Sequence, residues 1–123
     1  MKSLYAIARP LVAAIFVLSG GEVLREPGNR TQAAAAIGVP QPELAVRANA
    51  LVMMLAGVAL AFGICPRWAA AVLAGALVPT TLAGHPFWKE QDHEKRIGQL
   101  THFLKNMSML GGLLFIAAGE DRR

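Results

Sequence analysis

Four long apolar runs divide the chain, over residues 4–24, 48–65, 68–84 and 100–119, with polar, proline- or glycine-bearing stretches between them. The second is free of charge from Ala48 to Pro66, a 19-residue interval between Arg47 and Arg67. A helix of about 20 apolar residues crosses the ~30 Å hydrocarbon core of a bilayer. The third run, Trp68–Gly84, also carries no charge. A soluble helix of such length needs a polar face, and neither run has one. The first run contains Arg9-Pro10. Proline near a helix start is tolerated because first-turn amides have no intrahelical acceptor, and arginine extends its head towards nearby headgroups. This run opens like a secretion signal but lacks a small-residue cleavage pattern and continues into Glu22 and Arg25, so it reads as a retained transmembrane helix.

The connections carry their own signals. Between the first two runs, Pro27-Gly28 breaks the helix, Thr31 caps a short helix through Ile37, and Gly38 ends it with Pro40 and Pro42 beyond. Too short to span, this piece is expected at the interface or folded back between the spanning helices. Asn29-Arg30-Thr31 matches the glycosylation sequon, a pattern too loose to carry weight. Pro66-Arg67 reads as a tight turn, with Trp68 in the interfacial aromatic belt. Lys89–Gln99 alternates charges, with Asp92 and Arg96 at a helix-pairing interval, and reads as a solvated, partly helical loop. The expected fold is all-α: one domain over residues 1–123, a four-transmembrane-helix bundle with both termini on one side. Small residues recur at four-residue spacing (Gly57 with Ala61, Ala70 with Ala74, Ala71 with Gly75), and such pairs let helices approach closely in lipid. Gly20-Gly21 and Gly111-Gly112 are expected to do the same for the first and last helices.

Composition agrees with a bilayer setting. The chain is 54% hydrophobic and 16% charged, with a mean hydropathy of +0.43, against about 25% charged in ordinary soluble domains. The net charge of +4 comes from dispersed residues without a basic-aromatic stripe, so nucleic acid is not an expected partner; attraction to anionic lipid explains the charge. Cys65, the single cysteine, excludes an internal disulfide or a CxxC motif and is expected to be a buried, inert thiol. The terminal side holds five basic residues (Lys2, Arg9, Arg67, Arg122, Arg123) and the opposite side seven. A strict lysine and arginine count would make the opposite side cytoplasmic. Its loops are folded structures rather than tethers, however, and the reading adopted puts both termini in the cytoplasm.

The hairpin topology gathers the polar groups. The end of the first helix, the start of the second, the end of the third and the start of the fourth share one leaflet. Ser19, Glu22, Arg25, Arg47, Asn49, His85, His102, Lys105 and Asn106 therefore form a candidate polar pocket. Gln99, His102 and Asn106 follow the three-and-four spacing of one helix face. Glu22 is expected to pair with Arg25, Arg47 or Lys105, since a lone charge at mid-bilayer costs about 2.5–3.5 kcal/mol. The cluster has two readings, an interfacial lock that fixes helix register or a pocket open to one leaflet. His85, His93 and His102 are too far apart for a local metal motif, and no metal is expected. No nucleophile-base pair, phosphate loop or haem-attachment motif is present.

With these residues in view, the chain resembles the DoxX family of small four-helix membrane proteins. The resemblance rests on FVLSGGEVLREP (Phe16–Pro27), IGVPQPELAVR (Ile37–Arg47), the turn Gly63–Ala70, His85-Pro86-Phe87-Trp88, and Phe103-Leu104-Lys105-Asn106 running into Gly111-Gly112-Leu113-Leu114. It covers nearly the whole chain. Many members carry an acid early in the second helix, where this chain has Met53 and Met54. The resemblance implies a bacterial inner-membrane protein, with relatives tied to quinone-dependent sulfur oxidation or oxidative-stress assemblies.

The leading expectation is a non-catalytic membrane subunit of a redox or stress-response assembly, with a soluble or membrane redox partner docking on Lys89–Gln99. The alternative is a quinone- or sulfur-linked oxidoreductase subunit in which His85 or His102 moves protons, Glu22 assists, and Arg25, Arg47 or Lys105 holds an anion. A third reading is a small-solute carrier, which in so short a chain requires a homo-oligomer. No cofactor motif is evident, quinone being the one candidate, and whether the protein is an enzyme stays open.

Overall fold

The computed structural model describes residues 2–26, 28, 30–84 and 87–119. The described residues form five α-helices and one short 3₁₀ turn: α1 (Lys2–Arg25), α2 (Arg30–Ala36), α3 (Pro42–Ala61), α4 (Pro66–Gly84), the 3₁₀ turn Phe87–Lys89, and α5 (His93–Gly119). Four of the helices, α1, α3, α4 and α5, are long and apolar enough to cross a membrane. Pro27, the Asn29 sequon, His85, Pro86 and the terminal Glu120–Arg123 lie outside the described residues.

Helix boundaries follow capping chemistry more closely than hydropathy. α3 begins at Pro42, six residues before the charge-free run, because proline at the first helical position needs no N–H partner and presets φ. Pro66 opens α4 in the same way; Pro66-Arg67 is thus the first turn of that helix and not a separate tight turn. α5 begins at His93, seven residues before its apolar run, and the polar loop becomes its first two turns. The carboxylate of Asp92 accepts the Lys95 amide at 3.1 Å, capping the helix in place of the side-chain pairing with Arg96 that the spacing suggested. With 27 residues at 1.5 Å each, α5 is about 40 Å long and outreaches a ~30 Å core. Residues 93–98 are all exposed on this projecting end. Two helices end in the same device. Gly38 (φ +87°) and Gly63 (φ +71°) adopt left-handed backbone. Their amides and those of Val39 and Ile64 return to Ala35, Leu60, Ala34 and Ala59 carbonyls at 2.8–3.1 Å, which is the Schellman pattern.

The main contacts run in series, α1 on α3, α3 on α4, α4 on α5, while α2 folds back against α3 and α4. The core joins Phe16, Met53, Leu60, Leu73, Leu77 and Leu113, all 6% exposed or less. Ala70 and Ala74 are buried within the bundle, whereas Ala71 and Gly75 face outward. The α1–α3 seam is the tightest. A Cβ on Gly20 would lie 2.7 Å from the Ala50 carbonyl oxygen, and one on Gly57 would lie 2.9 Å from Val17. By contrast, nothing stands within 4 Å of the Cβ positions of Gly111 and Gly112, so those glycines do not bring α5 close to another helix, as their spacing had suggested. Leu11, Leu18, Phe62, Trp68 and Phe115 stand at least 71% exposed, an outer surface suited to acyl chains rather than water. Cys65 is exposed as well, contrary to the expected buried thiol: it sits in the α3–α4 turn at the bundle end, with φ +44°.

Two arginines tie the ends of the bundle. Arg47 Nη1 donates to the Leu24 carbonyl at 3.0 Å, and Arg67 Nε donates to the Ala117 carbonyl at 2.8 Å. Each satisfies one of the last carbonyls of a neighbouring helix, which have no intrahelical partner. The contacts also place the C-terminal end of α1 beside the start of α3, and the C-terminal end of α5 beside the start of α4, as the hairpin topology requires.

Gly20→Ala should destabilise the detergent-solubilised protein by about 1–3 kcal/mol, because the methyl meets backbone. Gly111→Ala should be neutral or mildly stabilising. Thermal unfolding of the two variants side by side checks this, and equal losses would contradict the asymmetry.

Candidate functional site

α4 contains an internal proline, Pro79, which has no N–H to give the Gly75 carbonyl. Two threonines follow it. Thr80 Oγ1 donates to the Ala76 carbonyl at 2.9 Å and Thr81 Oγ1 to the Leu77 carbonyl at 2.8 Å. Each hydroxyl then accepts an amide from a different flanking helix. Asn49 of α3 donates through Nδ2 to Thr80 Oγ1 at 2.9 Å. Asn106 of α5 donates through Nδ2 to Thr81 Oγ1 at 2.9 Å. Asn49 Nδ2 also lies 3.5 Å from Met53 Sδ and 3.4 Å from the Ala76 carbonyl. The segment after Pro79 is thus clasped from both sides by neutral hydrogen bonds, which escape the charge-burial cost of an ion pair.

Beside this clasp lies a cleft of about 680 Å³, within the range of small-molecule sites. α1 contributes Phe16, Ser19 and Val23; α2 closes one edge with Arg30 and Ala34, joined by Ile37 just after it. Asn49 and Met53 of α3, Thr80 of α4, and Lys105, Asn106 and Met109 of α5 complete the wall. The lining is mostly apolar, with polar groups confined to the half of the bundle that holds the α1 C-terminus and the α3 N-terminus. Among the described residues no carboxylate lines it.

Of the nine candidate residues, the structure brings Ser19, Asn49, Lys105 and Asn106 together in this cleft. Glu22 and Arg25 stand outside it as an exposed pair on α1, 3.8 Å apart. Arg47 is held by the Leu24 carbonyl and by Glu43 at 3.5 Å, so neither Arg47 nor Lys105 is the partner of Glu22. His102 lies on an exposed position of α5 and does not line the cleft. His85 lies outside the described residues. Of Gln99, His102 and Asn106, which share the spacing of one face of α5, Asn106 is buried, Gln99 half-buried and His102 exposed. No group of three His, Cys, Asp or Glu among the described residues is placed to hold a metal ion.

Thr80, Thr81 and Arg30 belong to the site although charge and hydropathy patterns passed over them. The available signal was Pro79-Thr80-Thr81 itself, since serine and threonine near a membrane proline commonly re-satisfy freed backbone groups. Met53 occupies a stretch where the family resemblance implies an acid, and here a thioether fills that part of the wall. Further out, Phe87, Trp88 and Phe103 pack edge-to-face, with centroids 5.2–5.9 Å apart. This cluster anchors the 3₁₀ turn to α5.

A double-mutant cycle of Asn106→Ala with Thr81→Val should give a coupling of about 0.5–2 kcal/mol in detergent unfolding. Strict additivity would show that the two side chains do not interact.

Comparison with known families matches the chain to the DoxX family, whose model aligns with residues 4–86. That interval spans α1 to α4, so the α5 motifs Phe103–Asn106 and Gly111–Leu114 lie beyond the matched region. No curated protein and no solved structure matches the chain.

Proposed function

The chain belongs to the DoxX family, and we propose that it is a non-catalytic membrane subunit of a redox or oxidative-stress assembly, contributing a one-leaflet cleft that holds an amphipathic, membrane-soluble ligand. The carrying observation is the composition of the cleft. Its ~680 Å³ suits a headgroup and the first carbons of a tail, and its polar groups are amides, hydroxyls and two basic side chains. Proton transfer near neutral pH is most often carried by a histidine or a carboxylate with a shifted pKa. Of the groups to which the oxidoreductase reading gave that work, Glu22 and His102 stand outside the wall, and His85 lies outside the described residues. Such an inventory binds and orients; it favours ligand holding over bond making.

Within an assembly, the exposed first turns of α5 and the aromatic cluster beneath them are the surface for a redox partner. Quinone and related amphiphiles are the candidate ligands. A bacterial inner membrane with both termini in the cytoplasm is the setting this reading adopts.

Native-nanodisc purification from cells under oxidative stress tests both parts. The expected outcome is recovery with a redox partner and with a near-stoichiometric amphiphile in the extract. Ala33→Trp, placed on the cleft-lining face of α2, should lower amphiphile retention by about tenfold, since an indole fills much of the space. Recovery of the lone protein, with lipid no more abundant than in the surrounding membrane, would overturn the proposal.

A further inference from the structure

The clasp around Pro79 fixes which way its two amides point chemically. Thr81 has one hydroxyl hydrogen, and its 2.8 Å contact with the Leu77 carbonyl takes it. The Thr81 oxygen can therefore only accept, so the Asn106 atom 2.9 Å away must be the N–H₂ group. Thr80 makes the same choice: its hydrogen goes to the Ala76 carbonyl at 2.9 Å, since the Met53 sulfur at 3.7 Å is a weaker acceptor. The Asn49 group 2.9 Å away is then N–H₂ too. Each amide nitrogen thus has an N–H committed to its threonine, and each amide keeps a carbonyl oxygen, Oδ1, with no donor among the described residues.

Asn106 is only 5% exposed and lines the cleft. A buried acceptor left without a partner is costly and calls for one. Two basic side chains share that cleft, Lys105 and Arg30, both exposed. The ion pairs found among the described residues engage Arg25 and Arg47 rather than either of these. The cleft therefore combines a buried acceptor on Asn106 and a half-buried one on Asn49, an accessible basic rim, apolar walls from Phe16, Val23 and Met109, and no carboxylate among the described residues.

We infer that the cleft takes an anionic amphiphile whose headgroup also carries a hydroxyl donor, of the phosphoglycerol lipid type. The phosphodiester sits at Lys105 and Arg30, a headgroup hydroxyl donates to Asn106 Oδ1 or Asn49 Oδ1, and the acyl chains follow the apolar wall. This rests on the reading of the cleft as an amphiphile site and narrows its ligand. A headgroup with acceptors alone would leave the amide oxygens unpartnered. A cationic one would meet Lys105 and Arg30 with like charge.

The test uses the full chain in detergent, exchanged against three lipids of equal chain length and followed by native mass spectrometry. Phosphatidylglycerol carries charge and hydroxyls; phosphatidylmethanol carries the charge alone; phosphatidylcholine is zwitterionic and lacks hydroxyls. Phosphatidylglycerol should be retained about tenfold over phosphatidylmethanol, for a buried acceptor satisfied, and phosphatidylmethanol several-fold over phosphatidylcholine. Lys105→Gln, at an exposed position, should weaken both anionic lipids by about tenfold and keep their ratio. Asn106→Leu should remove most of the advantage of phosphatidylglycerol over phosphatidylmethanol. Asn49→Leu, at a half-buried position, should reduce that advantage and serves in its place if the Asn106 variant does not fold. Equal retention of the two anionic lipids, or of all three, would overturn this inference while the amphiphile site stands. Retention of none would overturn the amphiphile site itself.

Discussion

A polar group inside hydrocarbon has no water to turn to, and in this chain that constraint is met at Pro79. A proline inside α4 withholds an N–H from the Gly75 carbonyl, and the turn that follows it is tied by hydroxyls and amides rather than charges, Thr80 and Thr81 bonding the Ala76 and Leu77 carbonyls. Asn49 reaches Thr80 from α3, and Asn106 reaches Thr81 from α5. These bonds set the rotation of three helices about their axes, because each asparagine must face α4 at the height of its threonine. With those rotations set, Phe16, Met53, Leu77 and Leu113 fall into the core, and the apolar faces carrying Leu11, Leu18 and Phe115 turn outward.

At the two ends of the bundle a second constraint operates, the carbonyls left over where helices stop. Arg47 and Arg67 reach across to neighbouring helices and accept that role, which gives the basic residues of a mostly uncharged chain a structural purpose. The helices then stand in series, α1 to α3 to α4 to α5. Between the outer members of the series, with α2 folded across one edge, remains the cleft lined by Ser19, Asn49, Thr80, Lys105 and Asn106. Lock and pocket, which the sequence offers as alternatives, are here two sides of one arrangement. The amides of Asn49 and Asn106 lock the helices, and the same two residues line the cleft.

The bilayer topology was legible because it depends on long uncharged runs, and Ala48–Pro66 leaves little choice. Helix starts were less legible. Hydropathy marks where lipid begins, whereas Pro42, Pro66 and Asp92 mark where helices begin, and the two differ by up to seven residues at α5. The shared level of Ser19, Asn49, Lys105 and Asn106 followed from hairpin geometry alone. Charge drew notice to Glu22, Arg25 and Arg47, yet charged side chains near an interface settle with local partners such as Glu43. Thr80 and Thr81 passed unnoticed because two hydroxyls scarcely change the hydropathy of a span. Spacing could not separate Gly20, pressed against α3, from Gly111, which faces open space. That distinction depends on which helix face meets a neighbour.

The central claim is that the polar clasp leaves an occupied cleft beside it, and a high-resolution density map of the protein extracted with its native lipid measures this directly. The account requires Asn49 and Asn106 donating to Thr80 and Thr81, with an elongated non-protein density running from Lys105 and Arg30 along Phe16 and Met109. A map in which α1 packs directly onto α5 and leaves no space between Ser19 and Lys105 would contradict it.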